Sequence, residues 1–113
     1  MANYKYYIKQ RGDRYYFGLY PNNSNSQAIA ISGEYATYKD AQEAIRKLQS
    51  LLHSSKNLFN EKEDEKGYSF ELKQNKENLI FFREGPFTHH YEVQKGINRI
   101  YKNYNAPIKL FDE

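Results

Sequence analysis

Apolar and polar side chains alternate with a period of two through the first third of the chain, and this pattern predicts β-strands. Three strands are indicated, at residues 4–9, 15–20 and 28–31. The turn Arg11-Gly12-Asp13 separates the first two, because glycine there can adopt positive φ. The polar run 21–26 separates the second from the third. We therefore expect a three-stranded meander at the start of the chain.

A helix is predicted to begin at Thr37. Its hydroxyl can accept a hydrogen bond from the backbone three residues on, where Asp40 supplies the acid of a capping box. The apolar positions that follow are spaced as one stripe of a helix, at Ala41, Ala44, Ile45, Leu48 and Leu52. Ser54-Ser55 ends this element.

The second half follows the same order with a less regular strand pattern. Residues 61–67 are almost all charged and predict a solvated turn, whereas residues 68–73 alternate as a half-exposed strand and residues 79–82 form an apolar one. A second helix is expected from about Thr88, with a short final strand at 108–111. The inner stripe of this helix comprises Val93, Gly96, Ile97, Ile100 and Tyr104.

A shift of 52 positions places the inner stripe of the first helix on that of the second. The aligned pairs are Ala41 with Val93, Ala44 with Gly96, Ile45 with Ile97, Leu48 with Ile100, and Leu52 with Tyr104. Tyr35 aligns with Phe87 before each helix, and aromatic strands precede both. We interpret the chain as one domain, residues 1–113, built from two tandem repeats at about 1–55 and 56–113.

Several motifs in both halves resemble the YegP-like family of small bacterial proteins. They are Ser32-Gly33-Glu34-Tyr35, Thr37, Ala41 and Ala44-Ile45 in the first half, and Tyr68-x-Phe70-x-Leu72, Arg83-Glu84-Gly85, Phe87, Gly96-Ile97, Ile100 and Asn105-Ala106-Pro107 in the second. The resemblance implies a β3-α-β unit that occurs twice in one chain or once in each subunit of a dimer. The units share one sheet and exchange their C-terminal strands. It implies no catalytic residue, because the family has no established biochemical activity.

From the pattern and the resemblance together we expect an α+β fold. Two related β-β-β-α-β repeats would share a mostly antiparallel sheet with two helices packed on it. The segment from Ser54 to Lys66 is too short for both an exchanged strand and a new first strand. Leu58-Phe59 is therefore either the exchanged strand of the first repeat or the first strand of the second, and both readings stay open.

The composition removes several classes of chemistry. The chain has 113 residues with no Cys, so disulfides, thiolate nucleophiles and zinc ribbons are excluded. No apolar run approaches the roughly 20 residues that cross a bilayer. Residues 1–7 lack the apolar stretch and the cleavage site of a signal peptide. We expect a cytoplasmic protein that does not associate with membranes.

The sequence also lacks the motifs of an enzyme or a metal site. There is no Gly-x-Ser-x-Gly nucleophile elbow, phosphate-binding loop or dinucleotide fingerprint. His89 and His90 are adjacent at the predicted helix start, where neighbouring side chains point about 100° apart and do not readily share one metal. We therefore predict no enzyme activity, no catalytic residue, no metal site and no cofactor.

The outward face of the first hairpin is the candidate binding surface, although helices covering that face would make its tyrosines part of the core. The residues concerned are Lys5, Tyr7, Lys9, Arg14, Tyr16 and Tyr20. Residues 1–56 hold 8 Lys+Arg against 4 Asp+Glu, a surplus of four positive charges within a formal net charge of +3 for the chain. Exposed aromatic clusters commonly mark protein interfaces.

Two functions follow from this surface if it is exposed. The leading hypothesis is a small non-enzymatic protein-interaction module, with an unknown protein partner or through self-association. The alternative is a weak, sequence-tolerant nucleic-acid binder, in which tyrosines stack on bases and Lys and Arg contact phosphates.

If the two repeats complete one hydrophobic interior, neither should be stable alone. We expect a chain that ends at Ser55 either to self-associate or to lack a cooperative thermal transition, as measured by sedimentation and circular dichroism. A monomeric species of that length with a cooperative melt would contradict the shared interior.

Overall fold

A computed structural model describes residues 4–21, 26–83 and 85–110. In chain order the elements are β1 (Lys5–Arg11), β2 (Arg14–Tyr20), β3 (Ala30–Ser32), α1 (Tyr38–Ser54), β4 (Asn60–Asp64), β5 (Gly67–Gln74), a 3₁₀ turn (Asn75–Glu77), β6 (Leu79–Phe82), α2 (His90–Asn103) and β7 (Ile108–Leu110). The strands form one sheet in the order β4-β5-β6-β3-β2-β1-β7. Every neighbouring pair is antiparallel except β1 and β7. The predicted α+β fold with a mostly antiparallel sheet and two helices is confirmed.

An equivalent β-bridge connects each hairpin to the segment that precedes the following helix. Tyr15 and Tyr35 exchange two backbone hydrogen bonds, of 2.8 and 2.6 Å, and Tyr68 and Phe87 exchange two of 3.0 and 2.7 Å. In the middle of the sheet β3 pairs with β6 and joins the two hairpins. One ladder therefore runs through the strands of both halves.

Both helices pack on one face of this sheet. α1 begins where the sequence predicts, since the Asp40 N–H donates to Thr37 Oγ1 at 3.0 Å. The largest fully buried side chains come from both helices and from the inward positions of the strands: Tyr6, Ile8, Phe17, Leu19, Ile45, Leu48, Phe70, Leu72, Phe81, Val93 and Ile100. Ser32 is a buried polar residue in this layer, and its hydroxyl accepts from the Phe17 N–H and donates to the Gly33 carbonyl.

The prediction of a solvated turn over residues 61–67 is wrong for most of that run. Residues 60–64 form β4, which pairs with β5, and only Glu65-Lys66 make the turn between them. Every residue of β4 is exposed. The strand has no apolar alternation because it lies at the edge of the sheet, and its pairing comes from the neighbouring hairpin strand rather than from a buried side-chain pattern.

Leu58 and Phe59 lead directly into β4, so they belong to the approach to the first strand of the second half. The resemblance implies that C-terminal strands are exchanged between units. One such strand is present, at the end of the second half. β7, after α2, pairs in parallel with β1 of the first hairpin. The first half contributes no corresponding strand within the described residues. The second helix begins one residue later than expected, with His89 rather than Thr88 at its N-cap.

Gly96 lies on the buried side of α2, against the aromatic side chains of the core. A Cβ at this position would stand 3.0 Å from Cε2 of Phe70 and 3.5 Å from Cζ of Phe87. We expect Gly96→Ala to be near neutral, since a helix-propensity gain of about 1 kcal/mol offsets the tight contact. Gly96→Leu should lower the free energy of unfolding by roughly 2–3 kcal/mol through overpacking. Equal urea midpoints for the two variants would contradict this packing.

Two tyrosines should make the fold sensitive to alkali. Burial raises the pKa of Tyr6 well above its ordinary value and that of Tyr35 to about 12. The unfolded chain releases these protons near pH 10, so their contribution to stability is complete below pH 10 and is lost as the pH rises toward the folded values. The free energy of unfolding should fall by about 1.4 kcal/mol per pH unit for each residue. Urea titrations between pH 8 and 11.5 should show a shallower fall for Tyr6→Phe/Tyr35→Phe, and an unchanged slope would refute the assignment.

Candidate functional site

The two helices leave the opposite face of the sheet uncovered, and most of the predicted binding residues lie there. We call this surface the outer face. In the β1–β2 register Lys5 pairs with Tyr20, Tyr7 with Gly18, and Lys9 with Tyr16. Their side chains point away from the core because Tyr6, Ile8, Phe17 and Leu19, at the alternate positions, are buried under the helices. The helices therefore do not cover this face, although Tyr20 is itself buried on it.

Tyr20 forms the centre of a small packed cluster on the outer face. Its ring lies across Gly18, where a Cβ would stand only 2.9 Å from Cε1 of the ring. Tyr7 meets Tyr20 edge-on with ring centroids 5.5 Å apart, and Lys9 Nζ lies 4.4 Å from the Tyr20 centroid. Only 4% of Tyr20 is exposed. Partial burial also lowers the pKa of Lys9 below its ordinary value. The glycine is thus needed for the ring to lie flat on the sheet.

Arg11 belongs to the outer face, although the sequence interpretation assigned it to a turn. Its guanidinium lies 4.4 Å from the Tyr16 ring centroid, and its Nη1 is 3.4 Å from Glu34 Oε2. The alternation of Lys5, Tyr7 and Lys9 continues to position 11, so the same period-two pattern could have identified it. A cation held over an aromatic face adds roughly 0.5–1 kcal/mol at an exposed site.

Arg14 lies apart from the tyrosine cluster. Its Nη2 donates to the Glu34 carbonyl at 3.4 Å, and its Nε is 3.9 Å from Glu34 Oε1. It lines a shallow pocket together with Asp40 and Glu43 from the first turns of α1. The structure therefore places this predicted binding residue beside a helix rather than over the outward-facing rings.

The positive charge of the outer face is concentrated at one end. Lys109 of β7 is in register with Tyr7 and adds a cation beside Lys5, Lys9 and Arg11. At the other end of the sheet the charges are mixed, and Lys62 pairs with Glu71 at 3.3 Å. Ile31 extends the apolar centre beneath Tyr20, since its Cγ2 is 3.1 Å from the position of a Gly18 Cβ. This end of the outer face thus carries the half-buried rings of Tyr7 and Tyr16 beside the buried Tyr20 and Ile31, with cations at the border.

This geometry does not support the nucleic-acid alternative. Base stacking requires an accessible face of an aromatic ring. Tyr20 is almost fully buried, and Arg11 covers a face of Tyr16. A base would compete with the Arg11 guanidinium for that face of Tyr16.

The adjacent histidines face different partners. His89 Nδ1 lies 3.6 Å from Glu92 Oε1 within α2, whereas His90 Nε2 lies 2.7 Å from Glu61 Oε1 on β4. No group of three His, Asp or Glu side chains is arranged to hold a metal ion in the described parts of the chain. Nor does any helix in those parts combine the length and apolar character needed to span a membrane.

A cavity of about 590 Å³ lies on the helix side, between α2 and the segment from α1 to β4. Its apolar and aromatic lining consists of Leu52, Phe59, Ile97, Tyr101 and Tyr104. Lys56, Glu61 and Lys102 are among its polar lining residues. The sequence interpretation did not identify this cavity, because its walls come from three segments whose proximity no local pattern encodes.

Comparison with known proteins supports the fold and adds no activity. No family model matches the sequence, and no curated protein matches it. Two solution structures are similar, however. UPF0339 protein SO3888 from Shewanella oneidensis superposes with a TM-score of 0.79 at 17% identity, over 96% of this chain and 91% of that one. The protein of unknown function yegP from E. coli gives 0.75 at 18% identity, with the same coverages. These two structures have the α+β fold that the YegP-like resemblance implies.

The contacts separate structural tyrosines from accessible ones on the outer face. We expect Tyr20→Ala to lower the free energy of unfolding by about 3 kcal/mol, because it removes a buried ring. Tyr16→Ala should cost less than about 1 kcal/mol, because its ring is only half-buried. Urea unfolding of both variants tests this, and a larger loss for Tyr16→Ala would refute the assignment.

Proposed function

We propose that this protein is a small non-enzymatic interaction module that binds an acidic protein surface on its outer face. The supporting observation is the set of cations that borders the packed Tyr20 cluster on a face left uncovered by the helices: Lys5, Lys9, Arg11 and Lys109. Tyr and Arg are enriched at protein interfaces, and a charged border selects a partner of opposite sign.

Two of these cations are already held in place. Lys9 lies over Tyr20, and Arg11 lies over Tyr16 with a second contact to Glu34. Ordering a long side chain at an interface costs roughly 0.5–1.5 kcal/mol. Part of that cost is therefore met in the free protein, which favours recognition of a rigid acidic surface.

Charge also argues against self-association through this face. Two copies meeting face to face would bring one cationic border against another, and such like-charge contacts cost several kcal/mol by order of magnitude. A different protein with an acidic patch is the partner that fits.

The domain organisation and the compartment form part of the same proposal. We infer that residues 1–55 and 56–113 are tandem copies, supported by the equivalent bridges at Tyr15–Tyr35 and Tyr68–Phe87. We further infer a reducing, cytoplasmic compartment, because the chain has no Cys for the disulfides that small secreted domains commonly use.

The proposal can be tested by affinity capture with charge-reversed variants. Immobilised protein is incubated with bacterial lysate, and bound proteins are quantified by mass spectrometry. We expect acidic proteins to be enriched by the wild type and reduced at least tenfold by Lys5→Glu/Lys109→Glu. The matched control Lys39→Glu/Arg46→Glu makes the same charge change at exposed positions of α1 and should retain them. Recovery should fall with increasing salt.

Equal losses of captured acidic proteins in the two double variants would contradict the assignment to the outer face.

A second experiment titrates a fluorescent single-stranded oligothymidine at low salt. Binding that Lys5→Glu/Lys109→Glu abolishes and Lys39→Glu/Arg46→Glu retains would overturn the proposal in favour of nucleic acid.

A further inference from the structure

The first strands of the two hairpins, β1 and β4, differ at their outer edges. β7 covers the edge of β1: the Tyr6 N–H donates to the Pro107 carbonyl at 2.9 Å, and Ile108 is in register with Tyr6 and packs against the core. β4 is the terminal strand at the opposite end of the sheet. Within the described residues, no strand pairs with its outer edge.

The connection after α1 explains this difference. Four residues, 104–107, join α2 to β7, and β7 continues along β1. Five residues, 55–59, join α1 to β4 itself. The chain therefore enters the second hairpin where a covering strand would otherwise lie.

The hydrogen bonds of β5 show which groups the free edge presents. Tyr68, opposite Glu63, directs its backbone N–H and C=O to Phe87, away from β4. Phe70, opposite Glu61, accepts from the Arg83 N–H on the same side. Residue pairs in an antiparallel ladder alternate between hydrogen-bonded and non-hydrogen-bonded. The Glu63–Tyr68 and Glu61–Phe70 pairs are therefore non-hydrogen-bonded. The backbone N–H and C=O groups of Glu61 and Glu63 thus point away from β5, as the Tyr6 N–H points toward β7.

The cavity beside α2 adjoins this edge. Phe59 and Glu61, at the inward positions of the segment, line it together with Ile97 and Tyr101. The Phe59 and Tyr101 ring centroids are 6.0 Å apart. At the opposite edge, Ile108 of β7 supplies an inward apolar side chain to the core. A strand added to β4 would direct an inward side chain into this cavity, whose volume of about 590 Å³ suits a large one.

Charge restricts what such a strand can be. Glu61 and Glu63 occupy the two inward positions of β4, and Glu65 follows in the turn. Antiparallel pairing of two copies about Lys62 would place Glu61 opposite Glu63 of the second copy, and like charges at such positions are destabilising. Basic side chains fit these positions, and at Glu61 a basic side chain would share the carboxylate with His90 Nε2, which lies 2.7 Å from Oε1. Lys56 and Lys102 at the cavity favour an acidic residue at the start of the strand.

We propose that the β4 edge and the adjoining cavity form a strand-addition site for an extended segment of a partner protein. The segment would carry an acidic residue, then an aromatic residue for the cavity, then two basic residues at alternate positions facing Glu61 and Glu63. This site is independent of the outer face and goes beyond the function proposed for it.

Capped synthetic peptides provide the probe. One peptide has the sequence Glu-Thr-Phe-Thr-Lys-Thr-Lys. Paired in parallel with β4, it places its aromatic side chain beside Phe59 and its lysines beside Glu61 and Glu63. We expect it to bind in a calorimetric titration and to slow amide hydrogen exchange at Glu61 and Glu63. The charge-inverted peptide Lys-Thr-Phe-Thr-Glu-Thr-Glu, and the peptide with Ser in place of Phe, should each bind at least tenfold more weakly.

Variants of the protein test the same geometry. Glu63→Pro removes an N–H that no strand within the described residues uses, so the fold should survive while peptide affinity falls at least tenfold. Glu61→Lys/Glu63→Lys should invert the preference between the two charged peptides. The control Glu43→Lys, exposed on α1, should leave binding unchanged. Because the double variant and the Ser-containing peptide do not involve proline, they test the site even if Glu63→Pro fails to fold.

Three results would overturn the proposal. The first is equal binding of both charge patterns or no binding of either. The second is exchange protection on the outer face instead of β4. The third is concentration-dependent dimerisation of the free protein that protects the Glu61 and Glu63 amides, since a second copy would then occupy the edge.

Discussion

A single apolar layer, shared by two helices and one face of a continuous sheet, is the constraint on which the rest of the structure depends. Because β3 pairs with β6, the inward side chains of both hairpins contribute to one core rather than two. Residues with small or no side chains, Ala44 and Gly96, lie on the buried stripes of the helices. With both helices on one side, the other side of the sheet carries polar and aromatic residues together with Ile31. The location of the candidate interaction surface follows from this division.

The two ends of the sheet satisfy their edges by different physical means. β7 supplies hydrogen bonds and an apolar side chain to β1. The exposed charges of β4 instead disfavour pairing with the β4 strand of a second copy. An acidic edge that repels a second copy is compatible with a basic strand. The feature that protects the free edge therefore also defines the partner it would accept.

Aromatic residues on the outer face show how one residue type serves both structure and recognition. Tyr20 is buried over Gly18 and belongs to the packing of the sheet, but its neighbour Tyr16 is only half-buried and carries Arg11 on its ring. Tyrosine permits this because a large apolar ring and a polar hydroxyl are joined in one side chain. Contact with Gly18, rather than residue type, separates the two roles.

The sequence by itself determined the helices, the N-cap at Thr37 and the alternation of β1 and β2, because these depend on residues within a few positions of each other. It also indicated the outward hairpin face, through the same alternation. Tertiary structure alone decided that β4 is a strand, that Tyr20 is buried while Tyr16 is not, and that a cavity lies beside Phe59. These features arise where segments distant in the chain meet, and local periodicity carries no information about which segments meet.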